Sequence, residues 1–381
     1  MNKLHFRNKN IIILLKSFTL GGAEKQALFL ASHLQNQLDC KVYIYSYIKT
    51  KSSKLFYKEC EKYNLTNLFI IENPLSAAGK LKYLKRRVKI GLLGLKLRKH
   101  QPDIIIPYLN PPSIIANLCY KIAGAQITFW HHRGPDYYRN DKIEKAAVRR
   151  TKIFIANSPD GKKELDSKFN LSKSKAIFIP NFSTILEKEF AVKPKKPKHL
   201  EGKVIIGMVG HFRQEKLQTI LVEAFFSLLK KTNKIHLILV GNIHENEEEK
   251  SDYSDVMLLI NKNELQDSVS IYHNTNSKEV LDFLDIGVLI SKKEGMPNVV
   301  MEYMCYKLPI VTTNHEGCIE LLGKDYQFYT ENDIKMVENK LMSLVDDERL
   351  RKSIGEINCE RLNSKFSIEN YMITLEEILY K

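Results

Sequence analysis

The fold is decided by the stretch IGVLISKKEGMPNVVMEYMCYKLPIVTT, residues 286–313. It opens with an apolar strand, residues 286–291, and passes through a polar loop. A helix follows, with Val300 and Met304 among the apolar side chains that recur at helical spacing. A second apolar strand, residues 309–313, closes the stretch. This order predicts two parallel strands joined by a crossover helix.

The same alternation of strand and helix extends through the rest of the chain in two series. In the first series the predicted strands are residues 11–16, 41–47, 68–71, 103–107, 127–130, 152–156 and 176–179. In the second series they are residues 203–210, 235–241, 269–272, 286–291 and 309–313. Short apolar strands separated by helices are typical of parallel sheets that are covered on both faces. The sequence therefore predicts an α/β protein with two doubly wound, Rossmann-like domains.

The two series are separated by residues 185–202, a segment rich in Lys, Pro and Glu without an apolar period. Such a composition is typical of a linker or hinge. We therefore expect an N-terminal domain at residues 1–184 and a C-terminal domain at residues 203–365. A last helix, residues 366–381, is expected to join the N-terminal domain. Ligands of doubly wound domains bind at the carboxyl ends of the strands, so we expect a cleft there.

The chain is strongly basic, with a net charge of +15 over 381 residues and a pI near 9.3. A balance of this kind favours an anionic partner. Nucleic acid, a phosphate-bearing substrate and an anionic membrane surface all satisfy it, and composition does not choose among them.

The six cysteines are scattered along the chain, without a close pair spaced like a metal clip. No run approaches the roughly 18 apolar residues that span a bilayer. The first apolar run, residues 11–15, is shorter than the core of a signal peptide. These features predict reduced thiols and a cytoplasmic protein.

The loop and helix start inside residues 291–302 carry the chemistry. Pro297 stands where the helix is expected to begin, at a position that tolerates its missing N–H. A helix N-terminus offers backbone amides and a positive dipole end to a phosphate. Glu294 before the turn and Glu302 inside the helix are placed to accept hydrogen bonds from sugar hydroxyls. Taken alone, the two carboxylates are equally well explained as solvated surface acids.

The spacing of the two acids distinguishes these readings. Glu294 and Glu302 have seven residues between them, and Gly295 and Pro297 follow the first acid. This arrangement resembles the E-x7-E signature of family 4 glycosyltransferases of the GT-B fold. Further segments resemble the family in the family's order, so that the likeness spans most of the chain: residues 20–34, 155–158, 179–181, 207–216 and 235–241.

The resemblance implies a role for each residue of the donor site. Glu302 would hold the donor ribose, and Glu294 would contact the hydroxyls of the donor sugar. Lys216 would bind the diphosphate together with an arginine. The remaining donor-binding positions implied are those of the loop after the strand: Ser291, Gly295, Met296, Pro297, Asn298 and Val299.

The sequence departs from the family pattern next to the phosphate-binding lysine. Many members have Gly-Arg where this chain has Gly210 and His211, and Arg213 is the nearest arginine able to take that role. Leu217 stands where a glycine often follows the lysine. The sequence has neither a DxD metal motif nor a His/Asp cluster, so we expect no metal and no cofactor besides the nucleotide-sugar. Cations and helix amides would then balance the charge of the leaving diphosphate.

In the N-terminal domain, two further segments are candidates for the substrate site. Gly21 and Gly22 would allow the first loop to approach the substrate, or would form a tight turn only. His131 and His132 close a predicted strand, and family members often place a histidine here against the donor. Adjacent residues of a strand point to opposite faces, so we expect one of the two to face the cleft.

Residues 80–99, KLKYLKRRVKIGLLGLKLRK, contain nine basic residues and no acid. Leu81, Leu84, Val88, Leu92 and Leu95 recur there at helical spacing. A basic amphipathic helix of this kind is typical of attachment to anionic lipid. The alternative is a charged surface helix that covers the sheet. We therefore hypothesise a peripheral position on the inner face of the plasma membrane, next to a lipid-linked acceptor.

The resemblance implies a retaining glycosyltransferase of surface polysaccharide synthesis, which moves a sugar from a nucleotide-sugar, such as a UDP-sugar, to a glycan or lipid-linked saccharide. Two alternatives stay open. A sugar-nucleotide epimerase of the GT-B fold would share the cleft without an acceptor. A basic nucleic-acid-binding protein would need stacking aromatics among its bases, and residues 80–99 carry Tyr83 alone. We therefore expect no nucleic acid as a partner.

Overall fold

The computed structural model describes residues 5–48, 54–133, 138–171, 176–185, 196–241, 247–273 and 277–380. The chain divides into two compact units. Unit 1 comprises residues 1–184 and 368–381, and unit 2 comprises residues 185–367. Part of the predicted hinge, residues 186–195, lies outside the described residues.

Unit 1 is an α/β unit with parallel strands. Its strands are β1 Asn10–Ser17, β2 Lys41–Ile48, β3 Leu68–Ile70, β4 Ile104–Pro107, β5 Ile127–Thr128, β6 Trp130–His132, β7 Phe154–Ala156 and β8 Ala176–Phe178. Its first six helices are α1 Gly22–Leu38, α2 Lys54–Lys62, α3 Lys82–Arg98, α4 Asn110–Ala123, α5 Lys142–Arg150 and α6 Pro159–Phe169. Five strands form one sheet in the order β3-β2-β1-β4-β5, and β6-β7-β8 form a second.

The central strand β1 is apolar over residues 11–15, which are all buried because both faces of the strand are covered. Ile12 pairs with Tyr43 of β2 on one side and with Ile105 of β4 on the other. The sheet extends from β1 through β2 and β3 on one side and through β4 and β5 on the other, so the carboxyl end of β1 is the switch point of the sheet. Ligands of open α/β sheets bind at such points. Gly21 and Gly22 follow this end of β1.

The prediction of one strand at residues 127–130 is wrong. Residues 127 and 128 pair with β4, whereas residues 130–132 pair with β7 in the other sheet. Phe129, which separates the two strands, is fully buried in the core. Periodicity did not reveal the break, because each half is extended and the change of pairing partner leaves no local signal in the sequence.

Unit 2 contains a single six-stranded parallel sheet in the order β11-β10-β9-β12-β13-β14. Its strands are β9 Val204–Val209, β10 Ile235–Val240, β11 Val269–Tyr272, β12 Ile286–Leu289, β13 Ile310–Thr313 and β14 Tyr329–Thr330. Its helices are α7 Gln218–Leu229, α8 Glu247–Lys262, α9 Ser277–Leu281, α10 Asn298–Cys305, α11 Glu316–Leu322, α12 Ile334–Asp346 and α13 Glu348–Lys365. The switch point lies at the carboxyl end of β9, which leads into Gly210.

The last helix, α14 Ile368–Leu379, returns to unit 1. Its buried face, which includes Tyr371, Met372 and Leu375, belongs to the core that also holds Phe182 and Leu34. The unit is therefore assembled from both ends of the chain.

The predicted α/β class with parallel, doubly wound sheets is confirmed in both units. All six cysteines are free and buried. Burial raises the pKa of the thiols, to about 12 at Cys60, Cys119 and Cys318. Among the described residues, no helix has the length and apolarity required to cross a membrane.

Candidate donor site in unit 2 and polar cluster in unit 1

The predicted donor loop lies at the carboxyl edge of the unit 2 sheet, between β12 and α10. Ser291 is fully buried, and its backbone amide donates to Thr313 Oγ1 at 3.3 Å. Its carbonyl accepts from His315 Nε2 at 2.8 Å. These contacts join the ends of β12 and β13. They show Ser291 as a support of the loop, and its predicted contact with the donor stays a prediction.

Helix α10 begins at Asn298, one residue later than predicted. Pro297 is therefore the N-cap residue, with φ −75° and ψ 117°, and the prediction that it occupies the first helical position is wrong. The first turn of α10 carries no acidic side chain. The positive end of the helix dipole thus remains available to an anion beside the predicted donor contacts at Met296 and Val299.

The structure brings two predicted site residues into direct contact. Lys216 Nζ donates to Glu294 Oε1 at 2.6 Å. The Glu294 side chain is 10% exposed and that of Lys216 is 24% exposed. A charge-assisted hydrogen bond of this length in a partly desolvated position is among the strong polar interactions of proteins. The cation expected at the diphosphate and the carboxylate expected at the sugar therefore belong to one site.

A backbone hydrogen bond also links the two loops that carry this pair. The amide of Lys292, in the loop after β12, donates to the carbonyl of Glu215 at 2.7 Å. Glu215 belongs to a 3-10 turn, Gln214–Lys216, that follows β9. The side chain of Lys216 runs past Gly210, where an added Cβ would meet it at 3.7 Å. The geometry of the ion pair is thus fixed by backbone as well as by charge.

Arg213 is the residue that precedes the 3-10 turn, and its side chain is exposed. The Lys216 amide donates to the Arg213 carbonyl at 2.7 Å. The arginine therefore lies on the same turn as the lysine. Its predicted role as the second diphosphate cation stays a prediction.

Glu302 lies a little more than one turn inside α10 and is buried. Its neighbour Tyr303, a residue that sequence reasoning did not single out, places its hydroxyl at the edge of the sheet. The Tyr303 hydroxyl accepts from the Val209 amide at 2.8 Å and lies 3.2 Å from the Val288 carbonyl. Tyr303 thereby ties α10 to the ends of β9 and β12. Gly287 was the available signal, because a Cβ there would overlap the Tyr303 ring.

Two glycines allow neighbouring backbone to pack closely against the loops of the candidate site. A Cβ at Gly317, at the start of α11, would overlap the carbonyl oxygen of Gly295. A Cβ at Gly241, after β10, would overlap the carbonyl oxygen of Gly210. Each glycine therefore supports one loop of the candidate site from behind.

In unit 1, Gly21 is the N-cap residue of α1. Its amide donates to Glu24 Oε2 at 3.2 Å, and a Cβ on Gly21 would lie 2.8 Å from that oxygen. Burial is the largest cause that raises the pKa of Glu24. The residue therefore serves the helix start, and the predicted approach of Gly21 and Gly22 to substrate stays a prediction.

His131 and His132 are both buried and face opposite sides of β6. His131 Nδ1 donates to the Pro107 carbonyl at 3.0 Å, so Nε2 is left to accept from Arg133 at 3.1 Å. Burial, followed by the charge of Arg133, holds the pKa of His131 well below its usual range. His131 is therefore neutral at physiological pH and belongs to a polar cluster.

The centre of that polar cluster is Arg133, a residue to which sequence reasoning assigned no role. Its guanidinium donates to Asn181 Oδ1 and lies 4.9 Å from the centre of the Tyr108 ring. His132 instead packs toward α6, where a Cβ on Gly161 would lie 2.8 Å from its ring. The two histidines thus have different surroundings, and which of them contacts the donor stays a prediction. In the part of the chain that the structure describes, no cluster of His, Cys, Asp or Glu is arranged to hold a metal ion.

Comparison with known proteins identifies the family. Residues 189–361 match the sequence profile described as "Glycosyl transferases group 1", and residues 20–183 match "Glycosyltransferase Family 4". The chain is 27% identical over 319 residues to the capsular polysaccharide biosynthesis glycosyltransferase CapM of Staphylococcus aureus. That alignment covers 77% of this chain and 80% of CapM.

Solved structures with the same fold include HepE of Anabaena in complex with UDP and glucose. It superposes with a TM-score of 0.75 at 14% identity, over 97% of this chain and 99% of HepE. A glycosyltransferase from Rickettsia africae gives a TM-score of 0.76 at 20% identity, over 97% and 98% of the two chains. Together with the two family matches, these likenesses confirm the predicted fold. The chain belongs to the group 1, family 4 glycosyltransferases and has the GT-B fold.

Proposed function

We propose that this glycosyltransferase uses a UDP-sugar as donor and transfers the sugar, with retention of anomeric configuration, to a glycan or lipid-linked saccharide of a surface polysaccharide. The observation that carries the proposal is the Lys216–Glu294 pair beside the N-terminus of α10. The likeness to HepE, whose structure holds UDP and glucose, and to CapM supports the choice of donor and product class. The six free thiols support a reducing compartment, the cytoplasm.

The chemistry follows from the charges of the site. The bond between the anomeric carbon and the distal phosphate oxygen breaks, and a bond from that carbon to the acceptor oxygen forms. Lys216, Arg213 and the first amides of α10 stabilise the negative charge that develops on the diphosphate. The leaving phosphate oxygen takes the acceptor's proton, so that the step needs no separate side-chain base.

The two glutamates have different roles in this proposal. Glu302 accepts hydrogen bonds from the donor ribose, and Glu294 accepts them from the sugar hydroxyls. Before donor binds, Glu294 neutralises Lys216 at 2.6 Å. Entry of the diphosphate therefore replaces one anionic partner of Lys216 with another and leaves Glu294 to the sugar.

The test measures nucleotide binding and turnover separately. Glu302→Ala removes hydrogen bonds to a charged group and is expected to weaken UDP binding by about 10- to 100-fold. Glu294→Ala is expected to lower turnover while UDP binding stays equal or becomes tighter, because Lys216 loses its competing anion. Calorimetric titration with UDP, GDP and CMP, followed by turnover of the preferred sugar donor, measures both effects.

Glu356→Ala provides the matched control, since this exposed carboxylate on α13 pairs only with Lys307 in the described ion pairs. It should change neither quantity. A loss of UDP affinity in Glu294→Ala as large as that in Glu302→Ala would overturn the assignment of roles. Rapid donor conversion without any acceptor would favour an epimerase instead.

A further inference from the structure

Helix α3 has an apolar face that the fold uses. Ile90, Leu93 and Leu97 are buried, and the helix packs mainly on α4. Gly94 allows this close packing, because a Cβ there would lie 2.9 Å from the side chain of Ile122. This face explains why α3 is amphipathic and attached to unit 1.

A second apolar face lies on the opposite side of the helix and is exposed. At 100° per residue its members lie within about 80° of one another and face away from the buried side chains. The exposed fraction of each side chain is between 53% and 62%. The members of this outer stripe are Leu81, Leu84, Val88, Leu92 and Leu95. These five side chains take no part in the packing of α3 on α4, which uses the other face.

Basic residues border the outer stripe on both sides. One row consists of Lys82, Lys85, Lys89 and Lys96, and the other of Lys80, Arg87 and Arg98. Residues 80–99 contain no acid, and within this segment the described ion pairs are Lys89 with Glu72 and Arg86 with Asp141. An exposed leucine stripe between two basic rows is the pattern of helices that lie in a membrane interface.

Beside the helix, a groove between α3 and α4 shares Arg87 with this surface and adds two further cations. The groove has a volume of about 500 Å³ and is lined by Arg87, Lys121 and Arg150 around an apolar floor. Arg87 bonds to the Tyr83 hydroxyl and Arg150 to the Leu118 carbonyl, both neutral groups. Within the described residues, none of the three cations pairs with a carboxylate. The groove is thus suited to anionic headgroups rather than to neutral ligands.

We propose that a docking face, made of the outer stripe, its two basic rows and the α3–α4 groove, binds an anionic membrane surface, with the outer stripe inserted among the acyl chains. The charge selects the occupant. A second copy of the same face would bring two basic surfaces together, and nucleic acid would leave five large apolar side chains in water. An anionic bilayer accommodates both the basic rows and the apolar stripe. The inference rests on α3, α4 and Arg150 at the end of α5, and it does not depend on the donor chemistry.

Arg86 does not belong to the docking face. Its side chain is 13% exposed, and its guanidinium donates to Asp141 at 3.0 Å and to the Ala77 carbonyl at 3.2 Å. Asp141 in turn caps α5. Arg86 therefore anchors the helix to its neighbours, and its replacement would disturb the fold instead of testing the surface.

Vesicle flotation with the full-length protein tests the proposal. The vesicles contain phosphatidylcholine alone or phosphatidylcholine with about a third of an anionic lipid, phosphatidylglycerol. Wild type is expected to float with anionic vesicles only. Lys85→Glu with Lys96→Glu should weaken that binding by at least about tenfold. Leu84→Gln with Leu92→Gln should weaken it by at least about tenfold as well, because the apolar insertion is lost.

Matched variants on unit 2 control for charge and apolarity. Lys234→Glu with Arg349→Glu changes the net charge equally, and Leu258→Gln with Ile357→Gln removes equally exposed apolar side chains. Both controls should float like wild type. Equal loss in the controls, equal flotation with neutral vesicles, or flotation unchanged in the α3 variants would each overturn the proposal. So would a wild-type dimer that the Leu84 and Leu92 changes dissociate without any vesicle binding. Thermal unfolding verifies that every variant is folded.

Discussion

At the scale of one residue, Leu217 stands where many family members have a glycine after the site lysine. Its backbone is left-handed, with φ 47° and ψ 39°, directly after the site lysine. Glycine adopts this region without cost, whereas a residue with a Cβ is strained by about 1–2 kcal/mol. Here the leucine side chain packs against the unit 2 core. The chain therefore keeps the turn that a glycine would favour and offsets its strain by packing.

Gly317→Ala tests whether the loop of the donor site depends on close backing. The added methyl would overlap the Gly295 carbonyl oxygen, so the loop that follows Glu294 must move. We expect unfolding to become easier by about 1–3 kcal/mol, together with a higher KM for the donor. Chemical denaturation and steady-state kinetics measure the two effects.

The control for this change is Gly91→Ala on α3. An added Cβ at Gly91 meets nothing within 4 Å, and the residue is helical. Alanine there should stabilise the protein by up to about 1 kcal/mol, with unchanged kinetics. If Gly317→Ala behaved like Gly91→Ala, the close packing of Gly317 on the loop after Glu294 would contribute neither to stability nor to donor binding.

The residues of the site divide into those that the sequence indicates and those that it does not. Glu294 and Lys216 were predicted because the local motifs around them resemble those of the family, and the structure then joins them at 2.6 Å. Tyr303 and Arg133 were not assigned because their partners, such as Val209 and Asn181, are distant in the chain. Hydrogen bonds of this kind arise only when separate elements meet.

At the scale of elements, the contribution of α14 to the stability of unit 1 can be tested. Leu375 is fully buried in the core of unit 1, whereas Ile373 on the same helix is 53% exposed. Leu375→Ala removes buried methyl groups and should destabilise the protein by about 2–5 kcal/mol. Ile373→Ala, the matched control, should stay within about 0.5 kcal/mol of wild type. Denaturant titration measures both.

Hydrogen exchange followed by mass spectrometry locates the effect of the α14 change. In Leu375→Ala, faster exchange is expected in α1 and β1, the elements whose side chains share the core with α14. Exchange in the β9–β12 region of unit 2 should change less. Faster exchange in unit 2 alone would contradict the assignment of this helix to unit 1.

Most strands were predictable from their apolar runs, including short ones. Strands β1, β2 and β11 begin within two residues of their expected starts. Strand β14, with only two residues, escaped prediction, since its register is set by pairing with β13. The same reason explains the break at Phe129, where pairing partners change.

At the scale of the whole molecule, the net charge of +15 left three classes of partner open. The structure places part of that charge in two different settings. Lys216 lies beside the helix N-terminus of the donor site, whereas the bases of α3 surround an exposed apolar stripe. A basic protein of this type needs no nucleic acid to explain its composition, because one cation suits a diphosphate and a broad basic face suits a lipid surface.

Stability of the whole molecule toward acid depends on histidines buried in their neutral form. In unit 1 the pKa of His33, His100 and His131 is lowered, in each case chiefly by burial. In unit 2 burial, with Lys203 and His199 as further causes, lowers the pKa of His236 to about 4. Its Nε2 lies 2.9 Å from Ser270 Oγ, so the neutral ring is hydrogen-bonded.

The sign of the pH effect follows from the two states of His236. As pH falls below 6.5, the unfolded chain binds a proton at this histidine, while the folded protein binds one only near pH 4. Stability contributed by the neutral ring is therefore present above pH 6.5 and lost between pH 6.5 and 4, at most about 3 kcal/mol. His236→Gln cannot take up the proton and should lose correspondingly less stability over this range. Thermal unfolding at several pH values measures the difference in stability between wild type and His236→Gln. Above pH 7 this difference should no longer depend on pH. Parallel decline of wild type and variant from pH 6.5 to 4 would show that His236 does not set the acid limit.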